Sequence, residues 1–202
     1  MKSVYDDFKN NLLRAKNLGF IYVSLNSRTT SVLDISDILR AELVLAVSAL
    51  DHFIHEIACF GMMEAYSGKR PKTKQFLKFK CSMESIIEGY TDQTSQIWFE
   101  NEIRFIHGFQ SFLQPDKISE ALKLVTTKNL WDELSNNIGI PPQELKKKLN
   151  IIVDRRNKIA HEADLDPSYP NTRWPINDQM VNEAIDYLEI LGENIYLIVN
   201  QN

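Results

Sequence analysis

The chain has 202 residues, of which 44% are hydrophobic and 25% are charged, and its formal net charge is −4. This length and composition predict an ordinary soluble globular protein with a sizeable core, and we expect one domain over residues 1–202. The acidic balance argues against a protein that binds nucleic acid over its whole surface, although a local basic patch is compatible with it.

Apolar residues recur at helical spacing along most of the chain, and only 7 glycines and 7 prolines interrupt them. The pattern predicts an all-α fold, a single-domain helical bundle. A first helix is predicted over 2–18 with Gly19 as its stop, followed by an extended connection over 20–26. Shorter helices are predicted over about 81–90, 95–113, 115–128 and 131–138. The three principal helices are predicted over 32–66, 142–161 and 177–199. A break near Ser36 would shorten the first of these.

No N-terminal stretch has the apolar core of a signal peptide, and no stretch has the roughly 18 apolar residues that span a bilayer. The most apolar segment, residues 41–63, contains acidic residues and histidines and is predicted to be a buried core helix. We expect a cytoplasmic protein without membrane contact. Cys59 and Cys81 are not spaced as a metal or redox motif, so we expect two reduced thiols and no cofactor.

Residues 69–80 contain six basic and no acidic residues. Two interpretations are open for this segment: a solvated loop that leads into a short helix, or a contact with nucleic acid. Residues 164–175 contain three prolines and predict a loop before the last helix.

Residues 154–162 place an arginine, an asparagine and a histidine close together at the end of the predicted helix 142–161. Arg156 offers a planar set of donors for phosphate oxygens, and His161 can give or take a proton near neutral pH. Asn157 and His161 are four residues apart and share a helix face, whereas Arg156 and His161 diverge by about 140°. Unless the helix ends near His161, one chain carries half a site. A two-fold dimer would bring two such sets into one cleft.

Phosphate ligands beside a proton-transfer group indicate RNA cleavage by the substrate's own 2′-hydroxyl. His161 is the expected general acid or base, and Arg156 is expected to stabilise charge on the phosphoryl oxygens. Arg155 and Lys158 are the expected RNA contacts beside them. From the pattern alone, the alternative is a histidine that merely stabilises the C-terminal end of a helix dipole.

The spacing of Arg156 and His161, with a polar residue directly after the arginine, matches the R-x4-H motif of HEPN domains. Residues 154–164, DRRNKIAHEAD, resemble the RiboL-PSP branch of that superfamily, and residues 49–56, ALDHFIHE, resemble its second signature. The resemblance implies an all-helical homodimer with metal-independent ribonuclease activity. In that activity Arg156 and His161 would be catalytic, and Asn157 would support them.

Many proteins of this kind resemble toxins or effectors of antiviral and toxin–antitoxin systems. This implies RNA as the substrate and an antitoxin or a neighbouring defence-system protein as a partner. The resemblance also allows a non-catalytic HEPN module that serves as a dimerisation, nucleotide-binding or RNA-binding subunit. One departure is Ala163, which stands where toxins controlled by a nucleotidyltransferase usually carry a tyrosine. Control by modification of that tyrosine is therefore not expected.

Residues 51–56, DHFIHE, lie in the first principal helix, and their order matches neither common zinc-binding helix pattern. We expect no metal there. Polar side chains inside an apolar helix are buried at a cost unless they are paired. Asp51 and His55 are therefore expected to form a polar seam that holds Arg156 or His161 in place. The alternative is that these polar side chains face solvent.

Overall fold

The computed structural model describes residues 1–30, 33–92, 94–169 and 171–201. Across these residues the regular elements are helical, apart from a single bridge that pairs Leu165 with Arg173. The prediction of an all-α fold is confirmed. The α-helices are α1 (Lys2–Asn26), α2 (Asp37–Tyr66), α3 (Met83–Thr91), α4 (Ile97–Gly108), α5 (Pro115–Leu122), α6 (Leu130–Ile138), α7 (Pro142–Glu162) and α8 (Asp178–Asn200). A short 3-10 helix spans Phe76–Lys78.

The helix α2 is the centre of the bundle, and α1, α4, α5, α7 and α8 all pack against it. Its buried residues run from Leu39 to Ala65 and lie on several faces, because other helices enclose it. Among the described helices, α2 alone is long and apolar enough to cross a membrane by length and composition. Within the protein, 56% of its most apolar stretch is buried, as in the core helix of a folded protein.

The helix α1 runs through Gly19 to Asn26, so the predicted stop at Gly19 and the extended segment over 20–26 are both wrong. Gly19 lies where α1 passes the side chain of Glu42 on α2. A Cβ atom at position 19 would lie 2.7 Å from Oε1 of Glu42, closer than real Cβ contacts come. This glycine therefore leaves room for the buried carboxyl group of Glu42 and does not end α1.

The inner face of α1 is anchored by Phe8, which is 1% exposed. Its ring stacks on Phe53 of α2, with the centroids 4.6 Å apart. On α8 a Cβ atom at Gly192 would lie 2.2 Å from the Phe8 ring, so this position also requires a glycine. The three helices α1, α2 and α8 therefore meet around one aromatic side chain.

The start of α2 is later than predicted. The helix begins at Asp37, and position 32 itself lies outside the described residues. Just before the helix, Oδ1 of Asp34 accepts a hydrogen bond from the amide of Ser36 at 2.9 Å. This local turn competes with helix, which explains the break that the sequence allowed near Ser36.

The other bounds depend on how tightly each helix end turns. The predicted helices over 95–113 and 115–128 are shorter than expected, since α4 ends at Gly108 and α5 ends at Leu122. After α5 the amides of residues 124 and 125 bond to carbonyls three residues back, which tightens the chain out of the α-helix. The last two helices, α7 and α8, begin and end within one residue of their predicted bounds.

The carboxyl group of Glu42 is a buried acid where α2 meets α1. Its side chain is 1% exposed, and its Oε1 atom has no hydrogen-bond partner. Burial, aided by the negative charge of Asp178 and opposed by Lys16, raises the pKa of Glu42 to about 7. The folded state therefore favours the protonated acid. The contribution of the protonated Glu42 to the free energy of unfolding is fully present below the ordinary pKa near 4.5. This contribution is lost as the pH rises through 7.

We predict that Glu42→Gln stabilises the protein at pH 8 and has little effect near pH 4.5. At pH 8 the free energy of unfolding should rise by on the order of 2 kcal/mol, because the substitution removes a buried charge without a partner. Urea unfolding at the two pH values measures this difference. The control is Glu88→Gln at an exposed position on α3. Equal gains for both variants, or a gain that does not depend on pH, would contradict the prediction.

Candidate functional site

The helix α7 carries the whole motif on one unbroken helix, Pro142–Glu162. The helix ends at Ala163, where φ is 52° and the backbone amide donates a hydrogen bond to the carbonyl of Lys158. The helix therefore continues past His161. Arg156 and His161 diverge by about 140° around its axis, as their spacing requires.

Arg156 is half-buried and contacts the neighbouring side chain of the motif. Its Nη1 atom donates a hydrogen bond to Oδ1 of Asn157 at 3.1 Å. Its Nε atom is buried and has no hydrogen-bond partner. Asn157 is therefore placed to orient the guanidinium group of Arg156.

His161 is exposed in the last turn of α7. Within the described part of the chain, its imidazole has no hydrogen bond or ion pair. One copy of the chain therefore brings Arg156 and Asn157 together but does not add His161 to them. The imidazole is free to meet a group from outside the chain.

The end of α7 is fixed by a buried ion cluster, which we call the arginine–aspartate cluster and define as Arg40, Arg155 and Asp164. Asp164 is 0% exposed, and its Oδ2 atom accepts hydrogen bonds from Nε of Arg40 at 2.7 Å and Nη2 of Arg155 at 2.8 Å. Both arginines also donate to the carbonyl of Trp174, at 3.0 and 3.1 Å. The cluster joins the start of α2, the end of α7 and the connection to α8.

This geometry conflicts with the prediction that Arg155 contacts RNA. The Nη2 atom of Arg155 donates to Asp164, Trp174 and Pro175, and burial lowers the pKa of Arg155 against the opposing effect of Asp164. A guanidinium group engaged in this way supports the fold and is not available as a phosphate ligand.

Lys158 lies at the edge of the same region. Its Nζ atom is 3.1 Å from Oδ2 of Asp154 and 5.5 Å from the ring centre of Trp174. The side chain is about one-third exposed, so both contacts are partly solvated. Lys158 therefore remains available for the RNA contact predicted for it.

Asp51 and His55 do not hold the motif within one chain, which corrects the expectation that they orient Arg156 or His161. Oδ1 of Asp51 accepts a hydrogen bond from the amide of Phe112 at 2.7 Å, and Nε2 of His55 lies 3.8 Å from the same oxygen. The His55 ring packs on Phe112, with the centroids 4.4 Å apart. Both residues are half-buried, and their contacts are made with the segment that follows α4.

Asp51 and His55 lie apart from the end of α7 because α2 is long. Asp51 lies eleven residues after Arg40, which is about 16 Å along the helix from the arginine–aspartate cluster. Near Asp51, His107 of α4 is 4% exposed, and its Nδ1 atom has no hydrogen-bond partner. Burial, with a smaller contribution from His55, lowers the pKa of His107 to about 4. The polar side chains of Asp51, His55 and His107 therefore lie together near α4, away from the motif.

Sequence reasoning missed Arg40 and the structural role of Asp164. The sequence does indicate that Arg40 has a partner inside the protein, because it is a charged residue within the apolar pattern of α2. Asp164 belongs to the quoted string 154–164, but its partner lies 124 residues away in the sequence. Periodicity describes contacts within one helix and does not identify such a pair.

Among the described residues, no group of three or more His, Cys, Asp or Glu side chains could hold a metal ion. The site is thus a helix end that carries Arg156, Asn157 and His161 above a buried ion cluster. An all-helical bundle with R-x4-H on its penultimate helix has the general form of a HEPN domain.

A family model described as RiboL-PSP-HEPN matches residues 9–201, which is nearly the whole chain. The chain therefore belongs to the RiboL-PSP-HEPN family. Comparison with curated proteins and comparison with solved structures gave no match.

We predict that Asp164→Asn lowers the free energy of unfolding by about 3 kcal/mol, because it leaves the buried Arg40 and the half-buried Arg155 without the negative charge of Asp164. The matched control on α7 is Asp154→Asn, since Asp154 is exposed and, among the residues that the structure describes, forms an ion pair with Lys158 alone. It should cost less than about 0.5 kcal/mol. Chemical denaturation at neutral pH measures both. Equal effects of the two substitutions would show that the cluster does not stabilise the fold.

Proposed function

We propose that this protein is a metal-independent endoribonuclease that acts as a homodimer. The observation that carries the proposal is the family match over residues 9–201, combined with the placement of Arg156 and His161 at the accessible end of α7. Family membership supports a role in RNA cleavage or nucleotide binding, and the motif provides the groups that cleavage needs.

In the proposed reaction, the 2′-hydroxyl of the RNA attacks the adjacent phosphorus atom. The bond from phosphorus to the 5′-oxygen of the next nucleotide breaks. His161 accepts the proton of the 2′-hydroxyl, and the departing 5′-oxygen takes up a proton from water. Arg156, oriented by Asn157, stabilises the negative charge on the phosphoryl oxygens. The products are a 2′,3′-cyclic phosphate and a 5′-hydroxyl end.

The divergence of Arg156 and His161 is the reason to propose a dimer. On one α-helix the two side chains point about 140° apart, so they do not readily converge on one phosphate. A two-fold axis beside the end of α7 would place Arg156 of one chain near His161 of the partner subunit. The imidazole of His161, which is exposed and has no hydrogen bond or ion pair among the described residues, is consistent with this arrangement.

In the cell, we propose that the ribonuclease is a cytoplasmic toxin or antiviral defence effector, controlled by an antitoxin or by a neighbouring defence-system protein. A second candidate is a non-catalytic HEPN subunit that binds RNA or nucleotides. One observation favours it, because no side chain of the described residues orients His161 within one chain.

We predict that Arg156→Ala and His161→Ala each abolish most RNA cleavage without unfolding the chain, with a loss of at least about 100-fold for the histidine variant. Cleavage of total RNA and analysis of the new ends measure this. A chelator should leave wild-type cleavage unchanged, whereas full inhibition would indicate a metal site. RNA binding without turnover would favour the non-catalytic candidate.

Mixing the two inactive variants tests the shared site. If each site takes Arg156 from one chain and His161 from the other, a 1:1 mixture should recover about a quarter of wild-type activity, because half of the dimers are mixed and each has one intact site. No recovery after demonstrated subunit exchange would place both residues in one chain. A strictly monomeric protein in sedimentation experiments would reject the dimer.

A further inference from the structure

A cleft of about 820 Å³ lies on a part of the molecule that the motif does not use. It is bounded by the segment 69–80, the connection between α5 and α6, and the first turns of α7. Four lysines line it. These residues, which define the lysine cleft, are Lys74, Lys123, Lys128 and Lys146.

Two side chains of the segment 69–80 fasten it to the bundle beside this cleft. Arg70 is buried, and its Nη1 atom donates to the carbonyl of Val199 at 2.8 Å. Oγ1 of Thr73 donates to the carbonyl of Lys123 at 2.9 Å, which connects the segment to the end of α5. The basic segment is therefore not a freely solvated loop, because internal hydrogen bonds fix its position.

The remaining basic residues of the segment are exposed. They are Lys69, Lys72, Lys74, Lys78 and Lys80. Over the described ranges, none of them is within 4.0 Å of a carboxylate, and the same holds for Lys123 of the cleft. Lys74 and Lys123 both line the cleft, and unpaired positive charges in one cleft repel each other unless an anion binds there.

The acidic residues that line the cleft are few and mostly compensated. They are Asp116 and Glu120. Glu120 pairs with Lys117 at 2.8 Å, and Asp116 lies 3.9 Å from Lys146. In a chain with a net charge of −4, this surface is a local concentration of positive charge. Its chemistry fits a polyanion.

The helix α7 connects the lysine cleft to the motif. Lys146 precedes His161 by fifteen residues, which is about 22 Å along the helix and about 60° around it. Both residues therefore lie on similar sides of α7. A shallow groove covers the first part of this interval, as far as Asp154. Its lining residues are Gln143, Lys146, Lys147, Asn150, Ile151 and Asp154. A stacked single strand that follows this side of α7 could reach both places.

We propose that the lysine cleft binds the phosphate backbone of single-stranded RNA and holds the substrate outside the motif. The proposal rests on the proposed function, since it takes RNA as the substrate. At about 3.4 Å per stacked nucleotide, the 22 Å span corresponds to roughly seven nucleotides between the cleft and the cut. The site recognises phosphates and is insensitive to base sequence.

The test measures binding in a protein that does not cleave. In a His161→Ala background, Lys74→Gln/Lys123→Gln is compared with Arg14→Gln/Arg28→Gln, which removes the same charge from exposed positions in and just after α1. Fluorescence anisotropy follows labelled single-stranded RNA and DNA of about 20 nucleotides across a salt series.

The cleft variant should bind RNA and DNA about ten-fold more weakly at low salt, and its salt dependence should fall by about 1.4 in slope, because two phosphate contacts are lost. The α1 control should change affinity by less than about two-fold. Equal losses in both variants, or no loss in the cleft variant, would overturn the proposal. The second result is also the one expected if the cleft binds a protein instead of RNA.

A cleavage experiment adds a second readout and separates the two proposals. With His161 intact, the cleft variant should raise KM for the RNA of about 20 nucleotides and leave kcat unchanged, while an RNA of about four nucleotides should be unaffected. If kcat falls instead, the lysines act in the chemistry and the proposal is wrong. If the wild type cleaves no RNA, the ribonuclease proposal fails, and the binding comparison still decides the cleft.

Discussion

A single carboxylate, that of Asp164, determines how the end of α7 is placed. It is fully buried and accepts hydrogen bonds from both Arg40 and Arg155. Two positive charges around one negative charge are costly to bury unless hydrogen bonds compensate them, and the carbonyl of Trp174 accepts a further hydrogen bond from each arginine. Nε of Arg155 and Oδ1 of Asp164 are buried without a hydrogen-bond partner. The start of α2, the end of α7 and the path of the chain to α8 are therefore fixed together.

This fixed helix end has a direct consequence for chemistry. Because α7 is regular through Glu162, Arg156 and His161 cannot be brought together by a local bend of the helix. The hydrogen bond between Arg156 and Asn157 aligns one half of the motif, while the other half stays exposed. A rigid scaffold that holds its reactive groups apart is suited to an active site that forms by association.

The sequence allowed the fold class and the two last helices to be predicted well, because apolar spacing and helix caps are local properties. Gly19 was misinterpreted because a glycine looks the same whether it ends a helix or admits a neighbouring side chain, here that of Glu42. The motif was found from its spacing. The structural role of Arg155 and the contacts of Asp51 were not predicted. They depend on Asp164 and Phe112, which lie 9 and 61 residues away in the sequence.

Residues 154–164 therefore serve two separate purposes: some of them hold the fold together, and others carry the motif. Arg155 and Asp164 are connected to Arg40 by internal hydrogen bonds, so a change of Asp164 alone removes the shared acceptor of both arginines. Arg156 and His161 are not part of the arginine–aspartate cluster. Under the proposed function, one substitution at either position removes the chemistry and keeps a folded chain, which would be a short evolutionary route from an enzyme to a binding subunit.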